Sequence, residues 1–470
     1  MSYFSLKCFF VQQKMLIILS LLNAFSAVIQ PMQAQIATKA PIDKPLIARR
    51  AAPPKNIVAP NSIEPKPKPP TKPASEKIKA PTKPIIPPIT ETDTTNKKTR
   101  NQTKPNGLRI SLLTMQPGTE VYSVFGHSAF RVQDTLKYTD YVYNYGTFNF
   151  ETPYFYTKFV RGRLDYALSV SKMNDMVNNY IEENRSIYEQ ELDLSPEQVR
   201  RLDSLLRNNY LPQNRLYRYD FFFDNCATRI RDMLNKAIGE NLSWQEEQTP
   251  EQTRTFRQLI APYIAEKTWV DMGIQLILGS KTDRMANSIE QMFLPDYLKQ
   301  AFTRAQISDS TKTKRPLVKQ TKTLFEATPR QAKATWFTPN VLFAALLLLA
   351  IYATIKVWNR QQTMRVFDMI LFAITGLFGC FLLLCWFATD HKVLVNNYNL
   401  LWAMPLNLPL AFILLQKQLS KWGKMSLLFP LLCLIIFLTG FWYLPQVAHT
   451  AFYLIATALL VRIFARLKSY

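Results

Sequence analysis

Five apolar runs crowd the last third of the chain, at about 340–358, 366–388, 399–415, 424–444 and 447–465. A membrane-spanning helix needs about 20 apolar residues, with a range near 17–25. Inside a bilayer no water satisfies free backbone N–H and C=O groups, so such runs must become helices. They predict an all-α membrane domain of five transmembrane helices over residues 336–470. The third run is short and is interrupted by Pro405 and Pro409. Lys356, Arg360 and Arg365 fill the first loop, Lys417, Lys421 and Lys424 the third, and Arg462, Arg466 and Lys468 the tail. The second loop has only Lys392 beside Asp390, and the fourth has no Lys or Arg. Positive residues mark the cytoplasmic side. Five spans then put the C-terminus inside and residues 35–335 outside. Ionisable residues are scarce within the runs, which argues against ion transport.

The N-terminus agrees with that topology. Residues 1–34 read as a secretory signal peptide, with Lys7 and Lys14 at its basic start, an apolar core from Met15 to Val28 and a cleavage point at Ala34. The alternative is an uncleaved anchor. Residues 35–105 form a Pro/Lys-rich segment. Positions 38–105 hold 15 of the chain's 30 prolines, and 15 Lys/Arg against 5 Asp/Glu. Such a stretch buries too little to offset its chain entropy and is expected to be disordered or polyproline-like. It serves as a solvated spacer or meets anionic lipid or cell-wall polymer. The net charge of +23 is partly this tail and partly cytoplasmic loops, so it is no argument for nucleic acid.

Residues 106–308 are long enough for one globular α+β domain with its own core. Leu108–Met115 alternates as a strand; Glu120–Gln133 and Tyr138–Phe148 read as a strand pair turning near Asp134, and Leu164–Ser171 as a further strand. Ser195-Pro196-Glu197-Gln198 starts a helix, and Thr249-Pro250-Glu251-Gln252 repeats the signature. Tyr217–Phe223 is aromatic and strand-like and runs into Asp224-Asn225-Cys226, after which Ala227–Ile238 has helical periodicity. The remainder to Phe302 reads as helices, and residues 309–335 as a basic linker.

Between the leader and the apolar third there is one cysteine, Cys226, and one histidine, His127. A lone thiol in an oxidising compartment has no disulfide partner and is open to oxidation, so its retention suggests a job for the sulfur. Cys226 falls where a strand ends and a helix begins. There the helix dipole and free amides favour an anion and can lower a thiol pKa from about 8.5 into the range of about 3.5–7.5. The same amides suit a tetrahedral oxyanion, with Asp224 or Asn225 as the cap. Arg229, one turn in, adds positive charge or faces solvent. His127 is the matching general base and acid, and it needs a partner on its far nitrogen. With a turn near 135 or 136 the position opposite His127 falls near Asn144, the candidate orienter, with Asp140, Tyr143 and Tyr145 as rivals. A cysteine and a histidine do not complete a tetrahedral metal site, and no phosphate loop or dinucleotide fingerprint is present, so neither metal nor cofactor is expected.

The order strand-His, strand-polar, then Asn-Cys on a helix resembles circularly permuted papain-like enzymes, a group that includes NlpC-type cell-wall hydrolases and lecithin:retinol acyltransferase-like enzymes. Val124-Phe125-Gly126-His127-Ser128, Tyr143-Asn144-Tyr145-Gly146-Thr147-Phe148, Phe221–Arg229 and Glu290-Gln291-Met292-Phe293-Leu294-Pro295 resemble the periplasmic domain of the Lnb lipoprotein N-acyltransferases. Asp390-His391 and Asn397-Tyr398-Asn399-Leu400-Leu401-Trp402 resemble that family's membrane domain. The likeness covers about 106–308 and 340–465. It implies that Cys226, helped by His127, takes an acyl chain from phospholipid as a thioester and passes it to the N-terminal amine of a diacylglyceryl-cysteine lipoprotein. His391 and His449 would lie on the domain's side of the membrane, where His391 and Arg229 are candidates to meet substrate. Two other readings stand beside this one: a membrane-anchored cysteine peptidase or amidase, and a non-enzymatic envelope scaffold.

Overall fold

The computed structural model describes residues 107–245, 254–309, 313–329, 335–360 and 364–468. The leader, the Pro/Lys-rich segment and the Thr249–Gln252 capping signature lie outside the described residues. Seven antiparallel strands form the main sheet of the globular part: β1 (Leu108–Met115), β2 (His127–Asp134), β3 (Thr139–Thr147), β4 (Asp165–Lys172), β5 (Ile187–Leu192), β6 (Leu216–Arg218) and, much later in the chain, β10 (Val318–Phe325). Their order is β10-β5-β1-β2-β3-β4-β6. A small second sheet pairs β7 (Leu242–Ser243), β8 (Gln306–Ser308) and β9 (Lys314–Pro316). β2 holds the centre, and in the neighbouring β1 Leu112, Leu113 and Met115 are fully buried. The β2–β3 hairpin turns on Asp134, whose Oδ1 accepts from the amides of Leu136 and Lys137 at 3.0 and 3.1 Å. The Pro196–Tyr210 helix starts at a reciprocal capping box between Ser195 and Gln198, and with the Cys226–Ile238 helix it packs against the sheet.

Three expectations need correcting. Residues 120–126 are not strand: a 3-10 turn occupies Val121–Ser123 and β2 begins only at His127. Tyr217–Phe223 is strand only to Arg218; beyond it Asp220 Oδ1 accepts from the amides of Phe222 and Phe223 and folds a tight turn. Residues 309–335, read as a basic linker, supply β9 and the edge strand β10, which pairs with β5. β10 is mostly exposed, so its backbone bonds hold it there without the apolar alternation that marks a buried strand.

Among the described residues the helical third carries four helices long and apolar enough to cross a membrane, at Pro339–Val357, Arg365–Phe387, Lys421–Thr439 and Thr450–Lys468. The remaining run of the five takes another form. The third apolar run is not one helix but a 3-10 turn at Tyr398–Leu401 and a short helix at Asn407–Ile413. Pro405 and Pro409 remove two helix donors within five residues. The run still travels the length of the Arg365–Phe387 helix. At one end Asn399 Nδ2 donates to the carbonyls of Gln275 and Leu276, and at the other Arg365 donates to the Leu415 carbonyl. Gly379 makes the close approach possible, since a Cβ there would stand 2.4 Å from the Ala403 oxygen. Irregular backbone at this depth is tolerated where protein covers it, and Asn407 Nδ2 donates to the Trp402 carbonyl and to Thr375 from a buried position.

The globular and helical parts share a core. Phe222, Phe256 and Phe293 of the first pack in one cluster with Cys385 and Leu394 of the second. Asn397 Nδ2 donates to the Leu276 carbonyl at 2.8 Å, and Arg163 pairs with Asp390 at 2.7 Å. The loop after the Arg365–Phe387 helix and the residues before Thr450 thus both meet the globular part, opposite the ends that carry Arg365 and Arg466.

Candidate active site

Cys226 opens its helix. Asn225 is the cap: its Oδ1 accepts from the Thr228 amide at 2.9 Å, and Thr228 Oγ1 accepts from the Asn225 amide at 2.8 Å. Asn225 Nδ2 donates to the carbonyls of Phe221 and Phe293, both at 2.8 Å. One buried side chain therefore ties the turn before the cysteine, the cysteine helix and the 290–295 segment together. Asp224 and Arg229 form a bidentate pair at 2.6 and 2.8 Å, with the Arg229 guanidinium 3.6 Å from the Tyr217 ring centre. Asp224 and Asn225, placed at the oxyanion position from sequence, are engaged in shaping the turn. Arg229 neither faces open solvent nor stands free for substrate.

The polar groups aimed at the Cys226 sulfur are backbone amides: those of Ser128, Ala227 and Cys226 itself. The Ser128 amide comes from the residue after His127, so the start of β2 supplies a donor to the thiol. Gly126 makes the turn into β2 with φ +77°, and a Cβ there would lie 2.8 Å from the Met115 oxygen. Only glycine suits that combination of positive φ and close approach.

His127 is half-buried and its ring hydrogen-bonds with the Asn144 side chain. The Asn144 Nδ2 donates to Ser171 Oγ at 3.3 Å, which leaves the amide oxygen for the ring N–H. The register that brings Asn144 near His127 differs from the one read from sequence. β2 and β3 pair Phe130 with Tyr143, and continuing that pairing sets position 146, not 144, opposite His127. A slip of two residues keeps the face, so Asn144 is the diagonal neighbour, still within reach. The rivals are otherwise occupied. Asp140 binds Arg131 at 2.6 and 2.9 Å, Tyr145 donates to Asn209, and Tyr143 is buried in the core.

The charge state departs from expectation. Burial pushes the Cys226 thiol up despite the three amides. Burial, reinforced by the positive charge of Arg185 and opposed by Asn144, pushes His127 down to about 4. These directions leave a neutral thiol and a neutral imidazole near pH 7. Desolvation disfavours both ions of the pair.

Arg185, Tyr180, Tyr217 and Tyr219 were not singled out from sequence. Arg185 is 4% exposed. Its Nε donates to the Gln116 carbonyl and its Nη1 to Glu183, and its guanidinium lies 4.6 Å from the Tyr180 ring centre. Its Nη2 is buried and makes no hydrogen bond among the described residues. Tyr180, Tyr217 and Tyr219 stand close enough to Cys226 to feel its charge. Tyr180 comes from the Met173–Glu182 helix and the other two from the stretch before the cysteine turn, so no local motif announces them together. His391 is elsewhere: its Nε2 lies 3.3 Å from the Phe159 carbonyl and its ring packs on Gly162.

Residues 95–261 match the family model of the Lnb N-terminal periplasmic domain, and residues 331–469 that of the Lnb transmembrane domain. The two matches follow one another in order and together span well over half of the chain. No curated protein and no solved structure matches it.

Proposed function

The chain belongs to the Lnb family of membrane proteins of lipoprotein processing, and from that premise we propose that it is a membrane-bound cysteine acyltransferase. It moves a fatty acyl chain from phospholipid, through a thioester on Cys226, to the N-terminal amine of diacylglyceryl-cysteine lipoproteins. The globular domain works in the periplasm and the helical domain holds it at the inner membrane. The observation that carries this reading is the Cys226 sulfur facing three backbone amides, one of them supplied by the residue after His127.

In the first half-reaction neutral His127 takes the thiol proton as the sulfur attacks the acyl ester carbonyl. The amides that favour an anion at the sulfur are suited to the oxyanion of the tetrahedral intermediate. Collapse breaks the carbon–oxygen ester bond, and the imidazolium returns its proton to the departing glycerol oxygen, which leaves a lysophospholipid. In the second half the lipoprotein amine attacks the thioester, His127 takes a proton from the amine nitrogen, and the sulfur departs and is reprotonated. A nucleophile divides one hard transfer into two easier ones. Asn144 holds the ring in the tautomer that leaves a lone pair toward the sulfur.

Incubation of the purified full-length protein with phospholipid and a diacylated lipopeptide tests the reading. Intact mass should show an acyl-sized, hydroxylamine-labile adduct, and the peptide should gain an amide-linked chain. Released fatty acid without peptide acylation would instead identify a hydrolase, and no adduct with any lipid a non-enzymatic protein.

The acidic side of the pH profile is a second test. The base form of His127 is required, and with its pKa near 4 that form persists well below pH 6.5. The rate of adduct formation should fall by half only near pH 4. Arg185→Met removes a charge that disfavours imidazolium, so the acidic limb should move upward, though not all the way to 6.5, because burial is the larger cause. Arg185→Lys should hold the limb low. A limb that stays put in Arg185→Met rules out this electrostatic role for Arg185.

A further inference from the structure

A second polar site lies apart from Cys226, where the globular domain meets the end of a membrane helix. An open pocket of about 400 Å³ is lined by Lys158, Arg161, Arg163 and Arg218, with Tyr154 and Asp165. Asp165 pairs with Arg218 at 3.4 Å and Asp390 pairs with Arg163 at 2.7 Å. Arg218 also donates to the Arg163 carbonyl. Lys158 and Arg161 have no ion pair among the described residues, so the pocket keeps an excess of positive charge.

Its position matters as much as its charge. Asp390 and His391 follow the Arg365–Phe387 helix directly. The Asp390 amide donates to the Arg161 carbonyl at 2.9 Å, and a Cβ on Gly162 would stand 3.2 Å from the His391 ring. The pocket is therefore anchored at the point where that helix leaves the membrane. Exposed aromatic rings surround it: Tyr154 is 81% exposed and Phe387 75%, with Tyr156 and Phe159 about half exposed. Aromatic rings of this kind settle at the headgroup level of a bilayer, where uncovered Lys and Arg meet lipid phosphate. On the strand side, Tyr166 follows Asp165 and stacks on Tyr219 with ring centres 4.4 Å apart, and Tyr219 stands in the field of Cys226.

We propose that the pocket formed by Lys158, Arg161, Arg163 and Arg218 binds the phosphodiester headgroup of the phospholipid acyl donor at the membrane surface. The proposal rests on the acyl-transfer reading for the identity of the donor. The chemistry separates the two substrates, because the diacylglyceryl group of a lipoprotein carries no phosphate. A cationic pocket beside the bilayer selects the donor and leaves the acceptor to be recognised by other contacts.

Binding to the full-length protein carrying Cys226→Ser, in nonionic detergent, reads the site without turnover. A short-chain phosphatidylglycerol should bind, and its affinity should fall about tenfold or more in Lys158→Gln/Arg161→Gln, since each basic residue near a headgroup contributes about 1 kcal/mol. Lys158→Arg/Arg161→Lys should keep the affinity. Diacylglycerol should bind both forms alike. Unchanged phosphatidylglycerol affinity in the Gln variant overturns the proposal. Displacement of the lipid by inorganic phosphate at equal concentration also overturns it, because the site would then hold free phosphate. The two readings fail separately: adduct formation at Cys226 that ignores the pocket variants sinks only the pocket, and lipid binding through the pocket without any adduct sinks only the transfer.

Discussion

Cys226→Ser should abolish the hydroxylamine-labile adduct and reduce lipopeptide acylation to background, while His127→Ala should slow adduct formation by about 10²–10⁴-fold and leave the thiol alkylatable. The two substitutions act on different links. The first removes the atom that holds the acyl chain. The second removes the acceptor for the thiol proton, and the buried sulfur then has no easy route to the anion, because its surroundings already push the thiol up. A general base matters most at a nucleophile whose own ionisation is disfavoured. Stopped time courses of intact mass, with circular dichroism to show that both variants fold, make the comparison. Full acylation of the His127→Ala protein at the wild-type rate would falsify the assigned base.

Asp368→Leu should lower the stability of the membrane domain by roughly 3–5 kcal/mol, the usual cost of leaving a buried charge without its partner. Asp368 and Arg462 are both fully buried and paired at 2.6 Å. Arg462 Nη1 donates to Thr354, and Arg466 lies 3.7 Å from the same carboxylate while donating to the carbonyls of Leu414 and Gln416. One carboxylate thus gathers the Pro339–Arg360, Arg365–Phe387 and Thr450–Lys468 helices and, through Arg466, the broken third segment. Deleting it strands two guanidinium groups among apolar side chains. Adding Arg462→Met should recover part of the loss, since it removes one stranded charge. Thermal unfolding midpoints of the full-length protein in detergent read the effect. Equal midpoints for wild type and Asp368→Leu would show that the cluster adds nothing to stability.

Particular elements show how far local pattern reaches. Leu108–Met115 is a strand to the residue, although its burial does not alternate, since Ile110 through Met115 are all covered. The helix after Asn225 was legible from a cap residue and periodicity, both properties of a few neighbouring residues. β10 was not, because an exposed edge strand made of Val-Lys-Gln-Thr-Lys-Thr-Leu-Phe shows little apolar bias and is held by backbone pairing with β5, more than 120 positions away. The third apolar run carried its own warning in Pro405 and Pro409. Its broken form is held by its own Asn399 and Asn407, which donate to the Gln275 and Trp402 carbonyls, and by the close approach that Gly379 allows.

The chain's own order of residues singled out the groups proposed for the chemistry and the side of the membrane proposed for them. Both follow from short-range features: a single thiol at a helix start, a histidine after a glycine, basic residues in alternate loops. Tertiary structure alone decided their charge state and their company. Burial pushes the thiol up and the imidazole down, a two-residue register kept Asn144 on the face of His127, and Arg185 comes from the loop before the Ile187–Leu192 strand. Desolvation and proximity depend on what the rest of the chain packs around a residue, and no local spacing encodes that.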